Sequence, residues 1–285
     1  AAPTADQTAK TLAYLVPVGR GNVIELFDGE DWVPERILYD PDTANARAVV
    51  TVDLAVMTTT AVPYDLFLRR RQGQVEPKLV AWASATARNG AIIAAPWRHE
   101  SGLGMFQGRF VRADGSAGAS ASGRLDPSWL YVATLYPSAS GQCEDSAANR
   151  YVYNYYNRVV RRLYYQDGGG HTYASAAWRQ WNASSAAQVA YVCGIAEGSY
   201  SIAVECLLTP AGNFYYGYVS YGIDTTGGSS NVSYGTNGWT LTWNCGVTGS
   251  HDLSLGRHYI AAVEYGNATY VPTFSNLGLH GLVQI

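Results

Sequence analysis

The chain has 285 residues, a net charge of −3, and 47% hydrophobic against only 14% charged residues. That balance gives no basic field for nucleic acid, and no apolar run is long enough for membrane insertion. So few charges imply either a large subunit interface, apolar at its centre, or a surface of Ser, Thr, Tyr and Gly.

Residues 1–10 are small and polar, without an apolar period, and read as an N-terminal arm, mobile or ordered by a partner. The start also lacks the basic and apolar regions of a secretory signal, so no signal peptide is expected. From Thr11 short apolar runs alternate with turn residues: Leu12 to Val18, Val23 to Phe27, the Asp28-Gly29 turn, Trp32-Val33, Thr51 to Val56 and Tyr64 to Arg69. Lys78 to Ser84, Ile92 to Ala95, Met105 to Val111 and Trp129 to Leu135 follow, with Asp114 to Arg124 as a loop. This spacing predicts a small β module over 11–138.

Residues 139–162 stand apart. Glu144 to Leu163 is free of Gly and Pro, begins with Asp145 as a cap, and places Ala148, Val152, Tyr155, Tyr156 and Val159 at helical spacings. It is expected to form a short linking helix. Beyond it, Leu163 to Gln166 and a turn at Asp167 to Gly170 lead into Trp178 to Trp181, Ala187 to Gly194, Tyr200 to Leu208 and Asn213 to Ile223. Val232 to Tyr234, Trp239 to Cys245, Arg257 to Tyr265 and Leu279 to Ile285 complete the series. Short strands joined by Gly, Asn and Ser loops predict a jelly-roll-like β-sandwich over 163–285. The fold expected is all-β.

Catalytic signatures are missing: the sequence holds no GxSxG, HExxH, P-loop or helix-opening GxGxxG. His99, His171, His251, His258 and His280 are scattered singly, and no nucleophile is matched to His251 or His258 in the nearby sequence. No catalytic residue is therefore assigned. Glu197, Glu205, Asp224, Asp252 and Glu264 remain as carboxylates whose separation sequence cannot show. Glu205 and Glu264 lie within apolar strands, where each must face solvent or find a partner; alternation turns Glu205 outward. The four cysteines, Cys143, Cys193, Cys206 and Cys245, show no metal-ligand spacing, so no metal and no cofactor is expected. They read as buried thiols, with a Cys193 to Cys206 disulfide left open. Arg69 to Arg71, beside Gly73, read as a solvated turn, with a phosphate or sulfate site as the alternative, and Arg161-Arg162 are a shorter basic run.

Aromatic residues carry the stronger signal. Of the 22 tyrosines only Tyr14, Tyr39, Tyr64, Tyr131 and Tyr136 precede residue 151. Tyr215, Tyr216 and Tyr218 cluster near Asn237 and Trp239, a composition suited to stacking on sugar C–H faces while amides match hydroxyls. These five residues are the expected glycan site.

The run Asp145-Ser146-Ala147-Ala148, then Asn154-Tyr155-Tyr156-Asn157-Arg158-Val159, Thr172-Tyr173 and Ala177-Trp178-Arg179-Gln180, resembles a segment of virion structural proteins of tailed bacteriophages and prophage elements. Upstream, Tyr64-Asp65-Leu66-Phe67-Leu68, Leu79-Val80-Ala81-Trp82 and Thr86-Ala87-Arg88 look like the module that precedes it. The resemblance implies a fibre, spike, collar or decoration component at the virion surface. On this reading residues 11–138 attach to other virion proteins, and 163–285 face outward to bind a host-surface polysaccharide or receptor, as a homotrimer. Tyr155, Asn154, Asn157, Arg158 and Val159 would form a structural bracket: the amides bond turn backbones, Arg158 meets a carboxylate and Tyr155 packs on Val159. A purely structural decoration protein and a polysaccharide depolymerase are the alternatives.

Overall fold

The computed structural model describes residues 6–15, 23–27, 32–36, 50–88, 96–98, 106–108, 130–209, 217–228, 231–234 and 242–285. They form an all-β protein whose only helical pieces, among the described residues, are three-residue 3-10 turns. The expected strands Ile92 to Ala95 and the loop Asp114 to Arg124 lie outside the described residues.

The C-terminal part is a sandwich. One layer is a four-stranded antiparallel sheet in the order Val160–Thr172, Thr273–Gln284, Ser199–Thr209 and Trp243–Asp252. The strand Ser199–Thr209 alternates: Ile202, Val204, Cys206 and Leu208 are buried while Ser201 and Glu205 face away. The buried set meets Tyr191, Tyr221, Ile260 and Ala262 of a nine-stranded sheet, with Trp181 and Phe274 between them. Period-two patterning thus assigns one face of Ser199–Thr209 to the core.

The nine-stranded sheet takes strands from both sides of the expected linker. Gln7–Lys10 and Gln142–Asp145 lead through Asn149–Arg150 to Gln188–Cys193, Gly256–Tyr265, Tyr218–Ile223 and Asn231–Tyr234. Part of the arm is therefore a strand: Gln7 registers with Asp145 and Lys10 with Cys143. A further four-stranded sheet, Val152–Asn154, Leu130–Leu135, Tyr64–Arg71 and Gln74–Ala81, holds the core of the N-terminal half. Phe67 and Tyr131 of that sheet belong to the sandwich core, and Ala190 of the sandwich belongs to the other.

The linking helix is not formed. Its residues make the end of one strand, the two-residue strand Asn149–Arg150, the strand Val152–Asn154, the 3-10 turn Tyr155–Asn157 and the start of Val160–Thr172. The reason lies in a second periodicity of the same residues: Tyr151, Tyr153 and Tyr155 alternate inward with 7%, 0% and 5% exposure. A helix would turn Tyr153 to the side opposite Tyr151 and Tyr155, whereas a strand sends all three into two adjoining cores. Asp145 is not a helix cap either; it sits in a strand and accepts from Arg150 at 3.1 Å and Arg161 at 2.5 Å. The turn expected at Asp167 to Gly170 is also absent. The strand runs through it with a bulge, where Gly169 N–H donates to Asp167 Oδ1 at 2.8 Å.

All four cysteines are free and buried. Cys206 faces Cys245 in register across one sheet, and Cys193 lies on a strand of the nine-stranded sheet.

Candidate functional site

The outer face of the C-terminal four-stranded sheet carries a groove of about 580 Å³, lined by Arg162, Ser201, Thr248, Ser250, His280 and Leu282. Its floor is Ala203 and the strand backbone around it, because the intervening row of Gly249, Ile202 and Gly281 turns to the core side of the sheet. The registers explain the arrangement: Arg162 pairs with Leu282, Leu282 with Ser201 and Ser201 with Ser250, so one row crosses the whole sheet. The next row is Tyr164, His280, Ala203 and Thr248.

Tyr164 braces the wall of this groove. Arg162 stacks over its ring at 4.1 Å and the His280 ring lies 5.1 Å away; its hydroxyl donates to Gln166. Glu205 does face outward, as alternation requires, and its Oε1 lies 3.2 Å from His280 Nε2. Glycine at 278 makes that contact fit, since a Cβ there would press on both side chains. The outcome is a small-residue trough with an aromatic and cationic wall at one end and a carboxylate near the other.

Glu264 takes the other course open to a strand carboxylate. It is fully buried and accepts from Arg179 Nε at 2.7 Å and Asn182 N–H at 3.2 Å, with His171 Nε2 at 2.6 Å. Asp65 is equally buried and receives Arg88 at 2.6 and 3.0 Å and the Thr134 hydroxyl at 2.7 Å. Arg88 also donates to the Gly194 carbonyl at 2.6 Å and lies over Trp82 at 4.3 Å. Asp65, Trp82 and Arg88 thus come together in one cluster, and Arg179 with Tyr173 beneath it in the other. Burying a carboxylate demands such partners.

One histidine does acquire a serine and an aspartate. His258 Nδ1 lies 2.7 Å from Asp224 Oδ2, and its Nε2 lies 3.0 Å from both Ser254 Oγ and the Leu255 carbonyl. A carboxylate and a carbonyl only accept, so this placement suits a ring that donates from both nitrogens, as an imidazolium does. An Nε2 that donates to a carbonyl has no lone pair for the Ser254 proton, so Ser254 is not activated as a nucleophile. Burial opposes the charge on His258, but Asp224 with the nearby backbone acceptors raises its pKa. Burial likewise opposes ionised Asp224, and the bonds from His258 and Tyr259 N–H outweigh it, lowering its pKa. The group clamps the turn at Leu253 to Leu255 to the residue that ends Tyr218–Ile223.

Of the expected glycan residues, Tyr215, Tyr216, Asn237 and Trp239 lie outside the described residues. Tyr218 is half-buried in a row with Tyr265 at 5.4 Å and Trp178 at 6.3 Å, brought together by the registers of three strands. Neither Trp178 nor Tyr265 is among the residues expected for the glycan site. The bracket residues touch both halves of the chain. Asn154 Oδ1 accepts from Tyr156 and Asn157 N–H at 3.2 Å, and Arg158 meets Glu197 at 2.9 Å. Val159 exchanges backbone bonds with Ile285 in place of an apolar pair with Tyr155, whose ring lies 5.9 Å from Tyr131. Among the described residues no group of metal-ligating side chains is present, and no helix is long and apolar enough to cross a membrane.

No family model matches the chain, and no curated protein matches it. Among solved structures it is similar to a Cry1Da tryptic core variant of Bacillus thuringiensis, at 11% identity and a TM-score of 0.23. That alignment covers 90% of this chain and 46% of the other, so the chain spans under half of that structure's length. A likeness so slight carries no argument.

Proposed function

We propose that the chain is a non-enzymatic surface-binding protein of a phage virion, whose C-terminal sandwich binds host-surface glycan in the groove of its outer sheet face. The virion setting rests on the sequence resemblance alone. The observation that carries the binding reading is the trough itself: a floor of Ala203 and strand backbone, hydroxyls from Ser201, Ser250 and Thr248, and a wall braced by Tyr164. Small floors admit a sugar ring, hydroxyl side chains match its hydroxyls, and an apolar or aromatic wall covers its C–H face.

Residues 11–138 would attach to other virion proteins. Leu12, Tyr14 and Val56 are 40%, 57% and 58% exposed on that side of the chain, which suits a contact surface. Trimerisation would let weak sites act together through avidity. Sedimentation of the full chain reads the trimer directly.

The binding reading is tested on a glycan array with the full chain and Ala203→Trp, which fills the trough from the solvent side. Binding by the parent and its loss in the variant, at unchanged melting temperature, is expected. Binding that survives Ala203→Trp removes the groove from the reading. Failure to bind any glycan, together with tight binding to particles lacking this protein, leaves a structural decoration role.

A further inference from the structure

We infer that the groove selects acidic saccharides, those bearing a carboxylate, and that Arg162 is the residue that reads the acid. This rests on the glycan-binding reading and names the class of sugar for the same site.

The argument begins with two adjacent arginines. Strand alternation sends Arg161 and Arg162 to opposite faces, and their surroundings differ accordingly. Arg161 points inward and closes on Asp145, which Arg150 also holds. Arg162 points outward into the groove, and no carboxylate pairs with it among the described residues. Its guanidinium carbon lies over the Tyr164 ring at 4.1 Å, a contact that limits the freedom of the side chain. The fork of a guanidinium matches the two oxygens of a carboxylate, and losing less side-chain freedom on binding makes the match stronger.

The rest of the groove gives the acid a direction. Glu205 stands beyond His280, two rows from Arg162, and would repel a carboxylate placed at that end. Ser201 and Ser250 continue the row of Arg162 across the sheet, about 14 Å at ordinary strand spacing. The carboxylate is therefore bound at the Arg162 edge, with the hydroxyl-bearing part of the sugar lying over the serines. Leu282, 51% exposed beside Arg162, offers apolar contact to the ring. A neutral sugar would use the hydroxyls and Leu282 but leave the cation unmatched.

The test uses the full chain with oligogalacturonate, polysialic acid and a neutral galactan as probes, each titrated at low and high salt. Four proteins are compared: the parent, Arg162→Gln, Arg162→Lys and Arg71→Gln, the last removing an exposed arginine of a distant hairpin. The expected result is preference for at least one acidic probe, weakened on the order of tenfold by Arg162→Gln and partly kept by Arg162→Lys. Galactan binding and the melting temperature should not change, because Arg162 anchors no part of the fold. Equal loss with Arg71→Gln would mean general charge attraction, and full binding by Arg162→Gln would mean another residue reads the acid; either overturns the inference. Equal or better binding of galactan by the parent overturns it while leaving the glycan-binding reading standing. If no saccharide binds, both fail together. Self-association abolished by Leu282→Lys would assign the face to a second copy of the chain and overturn it as well.

Discussion

The two faces of the C-terminal four-stranded sheet are made from alternate residues of the same strands, yet they do different physical work. The inner face presents Leu163, Ile202, Val204, Cys206, Phe274 and Leu279, all close to fully buried. The outer face presents Arg162, Ser201, Thr248, Ser250, His280 and Leu282 around an open groove. Because burial supplies most of the favourable free energy, substitutions on the inner face act on folding, and those on the outer face are left to act on recognition.

The largest effects should come from the buried side. Phe274→Ala removes a ring packed on Trp181 at 5.8 Å and on His171 at 5.8 Å, and should lower stability by about 3–5 kcal/mol in urea denaturation. Arg88→Ala strands the buried Asp65 carboxylate, with a loss of about 3–5 kcal/mol. A loss below about 1 kcal/mol at either position would mean that the core relaxes around the gap, and the division between faces would blur.

The thiols give a chemical version of the comparison. Burial pushes Cys143 and Cys193 up to about 12, and raises Cys206 and Cys245 as well. Ellman's reagent should therefore react slowly with the native chain and with all four thiols once it is unfolded. Fast native reaction at any one of them would show that face opening to solvent.

A smaller effect belongs to the clamp at the edge of the sandwich. His258 has a folded pKa above its ordinary 6.5, so its contribution is fully present below 6.5 and lost as pH rises through the folded value. Asp224 has a folded pKa below its ordinary 3.8, so its contribution is present above 3.8 and lost as pH falls through the folded value. The pair stabilises most between those two ordinary values. Melting curves of the parent and Asp224→Asn should differ more at pH 5.5 than at pH 8.5; the reverse order would show that the ring is neutral in the fold. The smallest effect is expected on the outer face, where Ser201→Ala or Thr248→Ala should shift stability by no more than about 0.5 kcal/mol.

Much of this was legible in the residues, and the errors have a common cause. Glu205 faces solvent and Glu264 finds partners, the two courses open to a carboxylate in an apolar strand. The burial of Cys193 and Cys206 follows from their places beside Val189, Tyr191 and Val204, whereas Trp243, two residues before Cys245, is itself exposed. The segment from Glu144 to Leu163, by contrast, carries both a helical spacing and the alternation of Tyr151, Tyr153 and Tyr155. Local pattern does not choose between them; the availability of two cores on which those rings pack does. The Ser254, His258 and Asp224 contact escaped for a related reason, since Asp224 lies more than thirty residues from its histidine and only the pairing of their strands joins them.

By itself, then, the sequence determined the all-β class, the face on which most strands bury their apolar residues, and the scarcity of charge, because each follows from period-two patterning and composition. The tertiary structure decided the rest. It chose strand over helix for residues 144–163, closed Arg161 onto Asp145, and left Arg162 open on a groove whose walls come from strands more than a hundred residues apart in the chain. Register between distant strands is set by the packing of the whole core, which no local window of residues contains.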